Sequence, residues 1–142
     1  FKRADLKQEG RDMPQCKING IDLNVKDGTT IIEAFKAIEQ DIAYYCWHPG
    51  LSVAGVCRMC MVRIEGNPKL QIACNTVIQE GMVITNEDPE VKEAVQWGLK
   101  YHLINHPLDC PICDQSGECG LQEYYMKSGF LEMVPRILKS KF

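Results

Sequence analysis

"YYCWHPGLSVAGVCRMCMV", residues 44–62, places Cys46, Cys57 and Cys60 in a loop rich in glycine and proline. The end of this stretch leads into CMVRIEG, where apolar and polar residues alternate as in a β-strand. Three cysteines in such a loop are compatible with a disulfide, a zinc site or an iron–sulfur cluster. The rest of the sequence has to supply the remaining partners.

Composition limits the classes of protein that fit. The 142 residues are 45% hydrophobic and 25% charged, which is typical of a folded globular protein. The formal net charge of −3 argues against a nucleic-acid-binding groove. The polar N-terminus has no apolar segment typical of a secretory signal, so metal or redox chemistry is favoured for the cysteines. Disulfides stay open as an alternative, because processing could have removed a signal.

Local patterns predict an α+β fold of the β-grasp kind in residues 1–85. The segment QCKINGIDLNVKDG indicates a β-hairpin with its turn at Asn19-Gly20. The next segment, TTIIEAFKAIEQ, indicates an amphipathic helix, with Thr30 and Glu33 at capping-box spacing. Three further strands are predicted in CMVRIEG, LQIACNTV and GMVIT.

Residues 86–142 have a helical character and are predicted to form a second, smaller domain. The segment EDPEVKEAVQWGLKYHLINH favours a long helix capped by Asp88, with His102 on its apolar face as a core or supporting residue. A loop, PLDCPICDQSGECG, is followed by a short predicted helix in LQEYYMKSG. Residues 130–142 are expected to pack on a partner.

Two sets of potential metal ligands follow from the spacing. The first is Cys46-x10-Cys57-x2-Cys60-x13-Cys74, and the second is His106-x3-Cys110-x2-Cys113-x5-Cys119. Either set could complete a tetrahedral zinc site. Three ligands in a wrapping loop and a fourth on a later strand are, however, typical of ferredoxins with a [2Fe–2S] cluster, although the plant-type first gap is shorter. Cys16 is left over and is predicted to be an ordinary buried residue.

These motifs resemble a known family. CWHPGLSVAGVCRMC, LQIAC and HPLDCPICDQSGECGLQ are similar to the N-terminal region of the large iron–sulfur subunit (the G subunit) of bacterial respiratory complex I, the NADH:quinone oxidoreductase. The diaphorase subunit of NAD-reducing hydrogenases and the N-terminal parts of formate dehydrogenases and [FeFe] hydrogenases share both motifs. The resemblance covers about residues 15–135, but the later cluster motifs and large domains of those proteins do not follow here.

The resemblance implies two cofactors. One is a [2Fe–2S] cluster on Cys46, Cys57, Cys60 and Cys74. The other is a [4Fe–4S] cluster on His106, Cys110, Cys113 and Cys119. A lone histidine is more often structural than a ligand, but His106 stands at a predicted helix end, three residues before Cys110, in a set without a fourth cysteine. His48 is not expected to be a ligand.

The expected function is electron relay within an oxidoreductase, without bond chemistry in this chain. The sequence has no G-x-G-x-x-G motif for a dinucleotide and no set of residues for nucleophilic catalysis. The resemblance implies that electrons arrive from NADH and FMN in a partner subunit and continue toward quinone. It also implies a place on the cytoplasmic face of a bacterial inner membrane, with membrane contact only through partners. A soluble NAD-linked hydrogenase or formate dehydrogenase, and a non-redox zinc module, are the alternatives.

The ten residues between Cys46 and Cys57 are expected to cover the first cluster and present it to a partner subunit.

Overall fold

The computed structural model describes residues 13–128. Five strands, three α-helices and one 3₁₀ turn follow one another in this part of the protein. They are β1 (Gln15–Ile18), β2 (Ile21–Asn24), α1 (Ile31–Ala37), β3 (Met61–Ile64), β4 (Gln71–Ile72), β5 (Met82–Thr85), α2 (Pro89–Ile104), the 3₁₀ turn Cys110–Ile112 and α3 (Gly120–Lys127). The segment 130–142, expected to pack on a partner, lies outside the described residues.

The strands form one mixed sheet in the order β2-β1-β5-β3-β4. β1 pairs antiparallel with β2 and parallel with β5, so the last strand of the sheet lies beside the first hairpin. β3 pairs antiparallel with both β5 and β4. A hairpin, a helix and returning strands in one sheet confirm the predicted α+β class.

Short-range signals fix the first hairpin and helix. Asn19 and Gly20 both have positive φ, at 48° and 85°, as a tight two-residue hairpin turn requires. At the start of α1, the Glu33 carboxylate accepts hydrogen bonds from the backbone N–H of Thr30 (2.8 Å) and from its hydroxyl (2.7 Å). Both predicted features are therefore confirmed.

The backbone around Cys74 differs from the prediction. A strand was expected through LQIACNTV, but β4 ends at Ile72, and the next residues turn toward α1. The backbone N–H of Ile32 donates to the carbonyl of Ala73 (3.1 Å), and that of Ile31 donates to Thr76 (2.9 Å). Free N–H groups at a helix start need acceptors, and here this turn supplies them. The turn thereby holds Cys74 beside the first turn of α1.

Two apolar cores include residues of the cysteine loop. The first lies between the sheet and α1 and includes the fully buried Ile18, Phe35 and Val62. The second joins Cys57 and Met59 of the loop to Leu99 and Leu103 of α2, with residues of α3 packed against it. The helices are thus packed directly on the loop that carries the first ligand set.

α2 begins as predicted but presents a different residue to the core near its end. The Asp88 carboxylate accepts a hydrogen bond from the backbone N–H of Glu90 (2.8 Å), which confirms the cap. Leu103 is buried, whereas His102 is exposed, so the prediction of His102 as a core residue is wrong. Its ring instead packs on Tyr45, with centroids 4.9 Å apart. None of the helices within residues 13–128 has the length and apolar character needed to cross a membrane.

Candidate metal centres

The four cysteines of the first set come together although they span 29 residues of sequence, from 46 to 74. Cys57, Cys60 and Cys74 are buried, with 9%, 1% and 1% of their surfaces exposed, and Cys46 is half-buried. Cys46 and Cys57 are hydrogen-bonded through their thiols, and so are Cys60 and Cys74. The set is therefore arranged as two neighbouring pairs.

The thiol pKa values reflect this crowding. Burial would raise the pKa of Cys46, but hydrogen bonds from the backbone N–H groups of Cys57, Val56 and Gly55 and from the Cys57 thiol outweigh it, and the pKa is lowered. Burial first, and then the thiol bond to Cys60 and the charges of the other three cysteines, together raise the pKa of Cys74 to about 12. A bound metal overrides these differences in pKa, because it deprotonates the thiols that coordinate it.

The loop backbone takes unusual conformations to aim these N–H groups. Gly55 has φ of +64°, and a Cβ there would approach Cδ1 of Ile72 to 3.2 Å, so both the conformation and the space favour glycine. Arg58, between Cys57 and Cys60, has φ of 56° despite its side chain. Backbone strain of this kind persists only where the surroundings enforce it, and it concentrates at functional sites. Here it lies at the centre of the C-x2-C motif.

The arrangement of the first set fits a [2Fe–2S] cluster. Such a cluster has two irons, each of which takes two thiolates from the protein, and the cysteines are already paired. A zinc site instead needs four ligands around one ion. The four thiols of the first set supply the number and type of ligands that a [2Fe–2S] cluster requires.

The second set is gathered less tightly. His106 follows the end of α2, Cys110 begins the 3₁₀ turn, and Cys119 is the residue immediately before α3. His106 and Cys110 line the same apolar cavity of about 190 Å³, between the end of α2 and the start of α3. Cys119 lines a separate hollow, although Gln122 borders both. Cys113 is exposed and lines neither.

The chemistry of this second group suits a cluster with several irons. Turns hold the loop: the backbone N–H of Cys113 donates to the Cys110 carbonyl (3.3 Å), and that of Ser116 donates to the Cys113 carbonyl (3.1 Å). Each iron at the corner of a [4Fe–4S] cube takes one protein ligand, so the four side chains need not converge on one point. The start of α3 also places its positive dipole end beside Cys119, which favours an anionic ligand there. The assignment of these four residues stays a prediction.

The remaining singled-out residues fall outside both sets. Cys16 is 2% exposed in the first core, as predicted, and burial followed by the charge of Glu80 raises its pKa. The Nδ1 of His48 accepts a local hydrogen bond from the backbone N–H of Gly50 (3.1 Å). Sequence reasoning missed Tyr45, whose ring packs on His102 and Tyr124 beside the core that contains Cys57.

Comparison with known proteins gives two family matches. Residues 11–89 match the model described as the 2Fe-2S iron-sulfur cluster binding domain. Residues 99–133 match the NADH-ubiquinone oxidoreductase-G iron-sulfur binding region. The first covers the sheet and all four cysteines of the first set, and the second covers His106 and the three remaining cysteines. Together they confirm the predicted pair of cofactors, one [2Fe–2S] and one [4Fe–4S] cluster.

Individual relatives support the same relation to NADH oxidoreductase subunits. The G subunit of NADH-quinone oxidoreductase from Rickettsia felis is 42% identical over 117 residues, which are 82% of this chain and 17% of the relative. The NADH-ubiquinone oxidoreductase 75 kDa subunit of Reclinomonas americana is 44% identical over 112 residues, 79% of this chain and 16% of the relative. The chain thus spans about a sixth of the length of these curated relatives.

A solved structure shares the fold. The NAD+-reducing [NiFe]-hydrogenase in its H2-reduced state matches with a TM-score of 0.74 and 26% identity, over 82% of this chain and 49% of the other. The matched sheet, the paired cysteines and the family models agree with one another. The chain therefore belongs to the family of 2Fe-2S iron–sulfur cluster binding domains, and its later part carries the iron–sulfur binding region of the NADH–ubiquinone oxidoreductase G subunits.

Proposed function

We propose that this chain relays electrons through two clusters as part of an NADH:quinone oxidoreductase. The [2Fe–2S] cluster would be held by Cys46, Cys57, Cys60 and Cys74, and the [4Fe–4S] cluster by His106, Cys110, Cys113 and Cys119. The observation that carries the proposal is the gathering of four mostly buried cysteines, three in a loop with left-handed residues and Cys74 in the turn after β4. When bound, the clusters supply reversible one-electron chemistry at potentials that the protein adjusts.

The residues of this chain have distinct tasks in that relay. The N–H groups of Gly55, Val56 and Cys57 stabilise negative charge on the Cys46 sulfur, and such hydrogen bonds raise a cluster's potential. Burial of Cys60 and Cys74 keeps water from one side of the first site. The half-buried Cys46 leaves the other side near the surface, where a redox partner could approach.

We further propose two domains, residues 1–85 for the first cluster and residues 86–142 for the second. The sheet and its core support the first, and the helices that border the second ligand set support the second. The proposed partners are an FMN- and NADH-binding subunit and other subunits of the complex. The proposed location is the cytoplasmic face of a bacterial inner membrane, reached through those partners.

Iron and sulfide analysis of anaerobically purified protein tests the proposal. About six irons per molecule are expected, two from a [2Fe–2S] and four from a [4Fe–4S] cluster. Reduction with dithionite should give EPR signals of two distinct clusters. Protein that contains stoichiometric zinc and no iron would refute the relay.

The structural match to a NAD+-reducing hydrogenase favours a second candidate, the equivalent relay in a soluble NAD-linked enzyme. Both candidates predict the same two clusters, so metal analysis does not separate them. Purification of the native complex does, because quinone-module subunits would accompany the first candidate and a nickel or molybdenum subunit the second.

A further inference from the structure

The segment of residues 41–47 carries Cys46 and belongs to no helix or strand. Within residues 13–128, no backbone-to-backbone hydrogen bond holds this segment. Side chains from later parts of the chain bond its backbone instead. The Nδ2 of Asn86 donates to the Asp41 carbonyl (2.8 Å), and the hydroxyl of Tyr124 bonds to Tyr44. Because backbone polar groups in folded proteins need partners, the path of the chain into Cys46 depends on these side chains.

Tyr124 connects this segment to α3. Its hydroxyl accepts a hydrogen bond from the backbone N–H of Tyr44 (3.3 Å) and donates one to the Tyr44 carbonyl (3.5 Å). One side chain thus serves both backbone polar groups of a residue that stands two positions before Cys46. The Tyr124 ring also packs on Tyr45, with centroids 5.4 Å apart. These contacts join α3 to the residues directly before the first proposed ligand.

The start of α3 is tied to the second ligand set. Cys119, a proposed ligand of the [4Fe–4S] cluster, is the residue immediately before this helix of eight residues. An isolated helix of that length is not stable in water, so the placement of α3 depends on its attachments. Near its end, Lys127 pairs with Asp41 (2.9 Å), but both side chains are exposed, and such surface pairs contribute little. Ligation of Cys119 would therefore help to hold α3, and with it Tyr124, in place.

We propose that Tyr124 is a positioning residue for Cys46, and that through it the second cluster site stabilises the [2Fe–2S] cluster. The proposal rests on the proposed ligand roles of Cys46 and Cys119. A cluster bound to Cys119 fixes the start of α3, Tyr124 then holds the backbone of Tyr44, and the chain before Cys46 keeps its path. The two sites are thereby coupled in their binding free energies, and the coupling acts in both directions.

Tyr124→Phe tests the positioning role, because it retains the ring and removes the hydroxyl. In protein purified anaerobically with both clusters, the [2Fe–2S] EPR signal should decay about fivefold faster under an iron chelator, the factor that corresponds to hydrogen bonding of ~1 kcal/mol. The signal should also broaden, since Cys46 takes a wider range of positions. Tyr101→Phe is the matched control, because that ring is 79% exposed on α2, and it should change neither quantity.

A second control separates positioning from stability alone. Val25→Ala removes packing from the first core, next to the first hairpin, and should lower the unfolding midpoint without broadening the [2Fe–2S] signal. An unchanged decay rate and an unchanged line width in Tyr124→Phe would overturn the positioning role. The same holds if Val25→Ala broadens the signal as much as Tyr124→Phe does.

Cys119→Ala tests the coupling, since it removes the attachment at the start of α3. Its [2Fe–2S] signal should also decay about fivefold faster than in the wild type, and the double variant with Tyr124→Phe should be no faster than the faster single variant. Rates that multiply to about 25-fold would show two independent effects and overturn the coupling.

If Tyr124→Phe cannot be purified, amide hydrogen exchange at Tyr44 replaces it, and equal protection in the wild type and in Cys119→Ala would overturn the coupling. A wild type without a [2Fe–2S] signal would instead refute the proposed function itself.

Discussion

A Cβ on Gly98, in the middle of α2, would lie 3.0 Å from the Sδ of Met59 in the cysteine loop. Met59 is fully buried between two proposed ligands, Cys57 and Cys60. Glycine within a helix costs about 1 kcal/mol relative to alanine. Helix α2 thus has a residue of low helix propensity at position 98, and this glycine lets its backbone approach the loop that holds the first ligand set.

Gly98→Ala should therefore destabilise the protein by about 1 kcal/mol, because overpacking costs of ~1–3 kcal/mol exceed the gain in helix propensity. Chemical denaturation followed by circular dichroism measures the change. In a Met59→Ala background, the same substitution should be neutral or stabilising, since the obstructing sulfur is gone. A stabilising effect of Gly98→Ala in the wild type would contradict the close-approach argument.

Asn19 links the first hairpin to the end of β5. Its Oδ1 accepts hydrogen bonds from the Thr85 hydroxyl (2.9 Å) and from the backbone N–H of Asn86 (3.2 Å), and its Nδ2 donates to the Asn86 side chain (2.9 Å). Asn19→Ala should lower the free energy of unfolding by about 4 kcal/mol, from three lost bonds at ~1 kcal/mol each and about 1 kcal/mol of strain for alanine at positive φ. Thermal or chemical denaturation provides the measurement.

Asn67→Ala is the control for that substitution. The Asn67 side chain accepts one hydrogen bond, from the backbone N–H of Lys69 (3.0 Å), in an exposed turn. Its removal should cost less than about 1 kcal/mol. Equal losses for the two variants would show that the contacts of Asn19 with β5 do not stabilise the sheet.

Local sequence patterns predicted the structural features that short segments of the chain determine. The Asn19-Gly20 turn, the Thr30 and Asp88 caps and the gathering of the first four cysteines are all specified within short segments or by motif spacing. The strand order was beyond such signals, because the parallel pairing of β1 with β5 joins residues more than sixty positions apart. The early end of β4 likewise depends on α1, because the N–H groups at the start of α1 donate hydrogen bonds to the backbone around Cys74.

The candidate site likewise has features that depend on tertiary packing and could not be predicted from local sequence. His102 and Leu103 are adjacent in the helical pattern, and only the packing of α2 on the loop decides that Leu103 is buried. Tyr45 could not be singled out from spacing, because its significance comes from α2 and α3, which contribute His102 and Tyr124 to its surroundings.

Cys74 and Cys16 are both buried thiols, with 1% and 2% of their surfaces exposed, and they allow a matched test of the first ligand set. Cys74→Ala should abolish the [2Fe–2S] EPR signal and lower the iron content by about two per molecule, while the [4Fe–4S] signal remains. Cys16→Ala should retain both clusters and lose only packing energy. Retention of the [2Fe–2S] cluster in Cys74→Ala would remove Cys74 from the proposed ligands.

His106→Cys should lower the midpoint potential of the second cluster. A neutral imidazole is replaced by a thiolate, and the added negative charge disfavours the reduced state, as the higher potentials of His-ligated Rieske centres indicate. An EPR-monitored redox titration measures the shift. His48→Gln is the control, because the His48 ring bonds locally to Gly50 in the first loop, and it should leave the second potential unchanged. If His106→Cys kept the midpoint potential of the wild type, that result would count against ligation by His106.

The loop between Cys46 and Cys57 exposes apolar side chains close to the first ligand set. Leu51 and Val56 are each 72% exposed, and exposed apolar groups clustered at one place are typical of interaction surfaces. This exposure supports the prediction that the long first gap presents the cluster to a partner. A leucine buried at an interface contributes about 1.5–3 kcal/mol, so its loss corresponds to at least a tenfold weaker complex.

Leu51→Ser should accordingly weaken binding of the proposed FMN- and NADH-binding partner subunit about tenfold or more, without a change in the [2Fe–2S] potential. Leu51 is not part of either core, so the fold should be retained. Biolayer interferometry with the purified partner measures the dissociation constant. Ile21→Ser, on β2 and 43% exposed, is the control for loss of an exposed apolar group elsewhere. If Leu51→Ser bound as tightly as Ile21→Ser, the docking surface would have to lie away from this loop, and its ten-residue gap would need another explanation.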